Sequence, residues 1–130
     1  MTDTGFEPTL VIETSPRNFQ VWLNHGRILS DHTFSTQAAK ELARRFEGDP
    51  SSADWRHFGR LAGFTNQKPK RRLRNGLPPF VRLHQCEGRT YTAAHDFLEE
   101  VKSRTQSQRA KLGADDISND FDRTLGPIPD

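Results

Sequence analysis

Two short apolar runs, Leu10–Glu13 and Phe19–Leu23, are separated by Thr14-Ser15-Pro16-Arg17-Asn18. Pro16 and Asn18 are turn formers, so this stretch predicts a β-hairpin with a loop longer than two residues. In its second strand Phe19, Val21 and Leu23 share one face and are expected to pack on a helix. Gln20 and Trp22 share the other. The period then changes. Ala38, Ala39, Leu42, Ala43 and Phe46 recur at helical spacing. They predict a helix capped by Ser35 or Thr36, running to about Glu47 and stopped by Gly48. Ser51-Ser52-Ala53-Asp54 opens a short helical turn through Phe58.

From Gly59 to Pro79 the chain is rich in glycine, lysine, arginine and proline and has no helical period. This is a long loop, and such loops in compact domains are usually functional or disordered. Phe80-Val81-Arg82-Leu83-His84 alternates as a third strand. Thr92 can cap a second helix through about Arg104, with Phe97, Leu98 and Val101 as its buried stripe. The order of elements predicts an α+β domain, a small, mostly antiparallel sheet packed against two main helices. Residues 1–8 read as a polar leader, 9–105 as the domain, and 106–130 as a polar linker or disordered tail.

Composition narrows the chemistry. The chain has 130 residues, enough for one domain, and its 32% apolar fraction allows only a modest core. The net charge of +2 hides an uneven distribution. Nine Lys or Arg side chains lie between Arg56 and Arg89, against the single acid Glu87. Such asymmetry points to a local polyanion-facing surface, or more plainly to a solvated basic loop. Cys86 is the only cysteine, which excludes an internal disulfide framework and a cysteine zinc site. His25, His32, His57, His84 and His95 share no zinc-ligand spacing. The amino terminus has no basic and apolar signal pattern, and no apolar run approaches the ~20 residues of a membrane span. A cytoplasmic protein without a membrane partner is expected.

The segment from Asp54 to Pro69 places a carboxylate, two guanidiniums (Arg56 and Arg60), the His57 imidazole, the Asn66 amide and the Lys68 ammonium around Gly59 and Gly63. Glycine lets backbone approach a phosphate, and arginine forks match its oxygens. A carboxylate there can hold a divalent metal. Each part also has an ordinary reading. Ser51 and Asp54 have the spacing of a capping box, His57 can be structural, and Lys68–Arg74 can be an unstructured basic run. Trp22, Trp55, Phe58 and Phe64 can stack bases or fill a core. The residues by themselves support a phosphate-facing surface and nothing sharper.

Two strings add to this. Glu13-Thr14-Ser15-Pro16-Arg17-Asn18-Phe19-Gln20-Val21-Trp22 resembles the E-T-S-P-x-N-F/Y-Q-x-W signature of RepB-type plasmid-replication primase domains. Arg60-Leu61-Ala62-Gly63-Phe64-Thr65-Asn66-Gln67-Lys68-Pro69 resembles their R-L-A-G-F-T-N-x-K-P signature. The resemblance covers roughly Leu10 to Tyr91.

It implies the later part of an RRM-like core of the archaeo-eukaryotic primase kind. It also implies nucleotidyl transfer with Mg²⁺ or Mn²⁺, and single-stranded DNA and nucleoside triphosphates as partners. A fused or separate relaxase or helicase is a further candidate partner. Asp54 then matches the late metal carboxylate and catalytic residue. Gln20 stands near a strand position where relatives carry a nucleotide-contacting histidine. Arg60, Asn66 and Lys68 match residues facing triphosphate or template, and Arg56 and His57 join them as candidates on the same turn.

One departure bears on activity. Such primases carry an early pair of aspartates on a strand, whereas Asp3 and Glu7 here lie in a polar stretch. The first metal-binding carboxylates are therefore expected before Met1, and the isolated chain is expected to be weak or inactive. The alternative is a non-catalytic module that binds single-stranded nucleic acid.

Overall fold

The structure, a computed structural model, describes the backbone of residues 1–123 and the side chains of residues 1–114. Three strands form one antiparallel sheet: β1 (Leu10–Ser15), β2 (Asn18–Trp22) and β3 (Arg82–Cys86), in the order β2-β1-β3. Two helices, α1 (His32–Arg45) and α2 (Ala94–Arg123), pack against each other. This is the α+β class that the pattern predicts.

The β1–β2 connection is tighter than expected. Ser15 pairs with Asn18, which leaves only Pro16 and Arg17 in the turn. Proline at the first turn position and a left-handed residue at the second (Arg17 φ 65°) are the type II combination. Thr14 is the extra residue of a bulge between Glu13 and Ser15. Asn18 holds the corner by donating from Nδ2 to Ser15 Oγ and to the Pro16 carbonyl, each at 3.0 Å.

The helical core is Phe6, Ala38, Tyr91, Ala94, Phe97, Leu98 and Val101, with Leu23, Phe34, Leu42 and Phe46 packed around it. Each fully buried large apolar side chain contributes roughly 1.5–3 kcal/mol. Phe6 stacks on Tyr91 at 5.4 Å and meets Phe97 edge-on at 5.5 Å. Phe6, in the stretch read as a polar leader, is thus part of the core. Glu7 accepts hydrogen bonds from Thr92 N (2.8 Å) and Thr92 Oγ1 (3.0 Å), which fixes the start of α2 from outside that helix.

Several element ends differ from the sequence reading. Asp31, not Ser35 or Thr36, caps α1, its carboxylate accepting from Thr33 N and Phe34 N. Aspartate followed by two N–H groups satisfies the orphan donors one turn earlier than the apolar stripe begins. The left-handed residue closing α1 is Glu47 (φ 54°), not Gly48. Strand β3 starts at Arg82, because Phe80 and Val81 are engaged by the preceding loop through Val81 N→Phe64 O and Gly63 N→Val81 O. Helix α2 continues to Arg123, well past Arg104. Its polar extension contains good helix formers and needs no apolar stripe to propagate. The remainder of the expected tail, 124–130, lies outside the described residues.

One expected packing face is also different. Phe19 and Val21 are 53% and 45% exposed, and of that row only Leu23 reaches the helical core. The buried strand residue is Ile12, at 2% exposure on the row it shares with Gln20. Gly59 and Arg60 pack on the Gln20 and Trp22 end of that row.

Candidate functional site

The long loop is ordered by contacts with the hairpin rather than by secondary structure of its own. Gln20 Oε1 accepts from Arg60 N at 2.9 Å. Beside it, Gly59 lies so close to the Trp22 ring that an added Cβ would sit 2.2 Å from Trp22 Cζ2. Gln20 and Trp22, neighbours on one face of β2, thus hold the backbone of Gly59 and Arg60. Farther along, Asn66 is 2% exposed. Its Nδ2 donates to the Thr14 carbonyl (2.8 Å) and its Oδ1 accepts from Lys68 N (3.2 Å). Asn66 N also donates to the Pro79 carbonyl at 2.8 Å.

These ties enclose a cavity of about 450 Å³. Its polar walls are Gln20, His57, Arg60, Thr65 and Lys68, and its apolar walls include Phe58, Leu61, Phe64 and Val81. Phe58 is 91% exposed and Phe64 65%. Two cations and an imidazole beside solvent-facing rings are groups whose chemistry suits an anion attached to a flat apolar group. The basic loop continues past this cavity. Lys68 caps a short 3-10 turn at Pro69–Arg71, and Arg72 donates to the Gly76 carbonyl at 2.7 Å to close the loop tip.

The sequence candidates separate into three groups. Gln20, His57, Arg60 and Lys68 come together in the cavity. Asn66 does not face it: the side chain is buried with both ends engaged, so its work is to position Lys68 and the loop. Asp54 and Arg56 lie on the approach and outside the lining. The Asp54 carboxylate accepts from Arg56 N at 2.7 Å, which organises the turn leading to His57. The capping role read for Ser51 and Asp54 belongs instead to Asp49, which accepts from Ser51 N and Ser51 Oγ. Those two bonds hold the Asp49 carboxyl below its ordinary range, the hydroxyl having the larger effect.

Among the described residues no group of three or more His, Cys, Asp or Glu side chains converges as a metal site would require. A single carboxylate does not make the clustered negative charge that Mg²⁺ or Mn²⁺ needs from a protein. The donor set present here does not fit a two-metal centre, and no chemical step is assigned to a metal. Sequence reading missed Thr14 and Val81 as parts of the site, and it read Gly59 as room for a phosphate where the structure packs it against Trp22. Their signal was indirect: the two signature strings, far apart in the chain, are in contact.

Residues 1–108 match the RepB DNA-primase N-terminal domain family. The chain is 42% identical over 110 residues to mobilization protein A of Escherichia coli, covering 84% of this chain and 15% of that protein. It is 30% identical over 108 residues to a DNA primase of Acidithiobacillus ferrooxidans, covering 82% of this chain and 30% of that one. The chain thus spans less than a third of the length of either relative. The crystal structure of primase RepB′ superposes with a TM-score of 0.76 at 37% identity, over 92% of this chain and 40% of that one. The catalytic domain of primase RepB′ in complex with initiator DNA superposes with a TM-score of 0.70 at 40% identity, over 84% and 54% of the two chains.

Proposed function

The chain belongs to the RepB DNA-primase N-terminal domain family, and from that premise we propose that it is the strand- and nucleotide-binding portion of a plasmid or mobile-element DNA primase. The observation that carries this reading is the Gln20–Arg60 tie, which sets Arg60 and Lys68 in one cavity with His57. Cations there meet phosphates, while Phe58 and Phe64 offer faces to bases or to the base of a nucleoside triphosphate. Support also comes from the neighbour solved with initiator DNA.

Nucleotidyl transfer is the reaction of this reading. On the family resemblance Asp54 is the candidate for a divalent cation, although no carboxylate lines this cavity. The residues described here supply binding and orientation: Arg60 and Lys68 for phosphate, Gln20 for the backbone that carries Arg60. A relaxase or helicase acting in the same protein or alongside it remains part of the proposal, supported by the similarity to a mobilization protein. The second reading, a binding module without catalysis, is favoured by one observation, the absence of a converging acid cluster among the described residues.

Titrating a labelled single-stranded oligonucleotide at increasing salt tests the binding claim common to both. About four phosphate contacts give a slope of log K against log salt near −3 on a single strand. A flat response rejects both readings. Primer synthesis assays on single-stranded DNA then separate them, and Asp54→Asn abolishes synthesis while leaving binding intact if the catalytic reading holds.

A further inference from the structure

Trp55 stands just outside the cavity, two residues before His57. Its indole lies flat on the His32 imidazole, with ring centroids 3.6 Å apart and planes 5° from parallel. Its backbone N–H donates to Thr36 Oγ1 at 3.3 Å, so the approach to the cavity is fastened to the first turns of α1. A tryptophan that served only as a fastener would be expected to bury its large apolar surface. Trp55 instead remains 46% exposed. The Arg56 guanidinium hangs over the same ring at 5.8 Å from its centroid, beyond carbon contact distance of about 4 Å.

We propose that Trp55, backed by His32, is a stacking platform for one unpaired nucleobase of the strand that enters the neighbouring cavity, with Arg56 closing over the base. The proposal rests on the reading of that cavity as a phosphate-binding site. Three features favour a nucleobase over a protein side chain. The ring is backed by a parallel ring, which fixes its orientation before anything binds and lowers the ordering cost. The exposed cation above it suits a π face joined to a phosphate. And two residues span at most about 7 Å, so a base on Trp55 would place a neighbouring phosphate within reach of His57, which lines the cavity.

Ultraviolet crosslinking of the full chain to single-stranded DNA carrying iodouracil, followed by peptide mapping, tests this directly. A crosslink at Trp55 is expected with a single strand and not with a fully paired duplex of the same sequence. Trp55→Ala should weaken single-strand binding by about 5- to 150-fold, the effect of losing one stacked base, with helical circular dichroism and the salt slope unchanged. Trp55→Phe should restore most of the affinity. Crosslinks confined to other residues, or a Trp55→Ala chain that binds as tightly as the wild type, would overturn the platform and leave the cavity's role intact. A wild-type chain that binds no single strand at all would remove both.

Discussion

The Asn66 carboxamide donates to the Thr14 carbonyl across 2.8 Å, joining the bulge of the β1–β2 hairpin to the middle of the basic loop. Both residues belong to the strings that identify the family, and the bond explains why those strings occur together. Thr14 has a carbonyl to offer because the bulge takes it out of the regular ladder. Asn66 matches that need and, with Oδ1, holds Lys68 N.

Replacing Asn66 therefore acts on the fold and the site at once. Asn66→Ala leaves the buried partners unsatisfied and is expected to cost about 2 kcal/mol in urea unfolding, with weaker binding of single-stranded DNA. Asn66→Asp sets a carboxylate against the Thr14 carbonyl in a buried place. It should be the more damaging of the two at neutral pH, and the gap should narrow in acid as the new carboxyl is protonated. Equal damage at both pH values would reject the donor role.

Gly59 is a position where space, not backbone angle, excludes a side chain. A Cβ would come within 2.2 Å of Trp22 Cζ2 and 3.3 Å of Gln20 Oε1. Gly59→Ala must displace the indole or the loop, at a cost of about 1–3 kcal/mol. Displacing the loop breaks the Gln20–Arg60 bond, so oligonucleotide affinity should fall more than stability predicts. Fluorescence of Trp22 in a Trp55→Phe background reports which of the two moved, and an unaltered spectrum with unaltered affinity would reject the close packing.

Acid should lower the stability of the domain over two separate pH windows. Burial lowers the His25 pKa from 6.5, with Arg27 adding to it, and His25 Nδ1 lies 2.8 Å from the Tyr91 hydroxyl. A histidine with a depressed folded pKa contributes stability above pH 6.5 that is lost as pH falls below 6.5 toward the folded value. Glu41 is held at about 2, first by its hydrogen bond from Arg44 and then by Arg45. Its contribution is complete above pH 4.5 and disappears between 4.5 and about 2. Glu41 also accepts from Arg104 of α2 at 3.1 Å, so the loss in this second window loosens the α1–α2 contact. Thermal melts at stepped pH should show His25→Gln flattening the upper window and Glu41→Gln shrinking the lower, which the lowered carboxyls of Glu7, Glu13, Asp49 and Glu100 also feed. A wild-type melting temperature constant from pH 7 to 5 would reject the first assignment.

The fold was legible wherever one local rule decided it. The Phe97, Leu98 and Val101 stripe and the Ala38, Leu42 and Phe46 stripe pack as their spacing requires. Other features depend on partners distant in sequence, and local pattern carries no trace of them. Phe6 is a lone apolar residue in a polar stretch, and its place in the core comes from Tyr91, Phe97 and Phe46, which no local window contains. Asn66 reads as a polar loop residue and turns inward because Thr14 waits there. In the site, residue types were sufficient to gather His57, Arg60 and Lys68. The orientation of Trp55 required the position of His32, on another element.

The end of α1 offers the sharpest case, because sequence and structure nominate adjacent residues. Gly48 follows the last apolar position and reads as the stop, yet the left-handed residue is Glu47, with φ 54°. The helix closes through Phe46 N→Leu42 O at 3.1 Å and Gly48 N→Ala43 O at 2.8 Å. The second of these spans the six-residue loop that ends many helices and needs a left-handed residue just before its donor. An L-residue there costs roughly 1–2 kcal/mol, whereas glycine adds about 0.5–1 kcal/mol of chain entropy. Glu47 is exposed and makes no hydrogen bond or ion pair among the described residues, so little opposes its replacement. Glu47→Gly should raise stability by about 0.5–1 kcal/mol in urea unfolding. Gly48→Ala, whose Cβ would meet Ala43 Cα at 3.3 Å, should lower it only slightly. If Gly48 were the true stop the order would reverse, with Gly48→Ala the severe change and Glu47→Gly neutral or harmful.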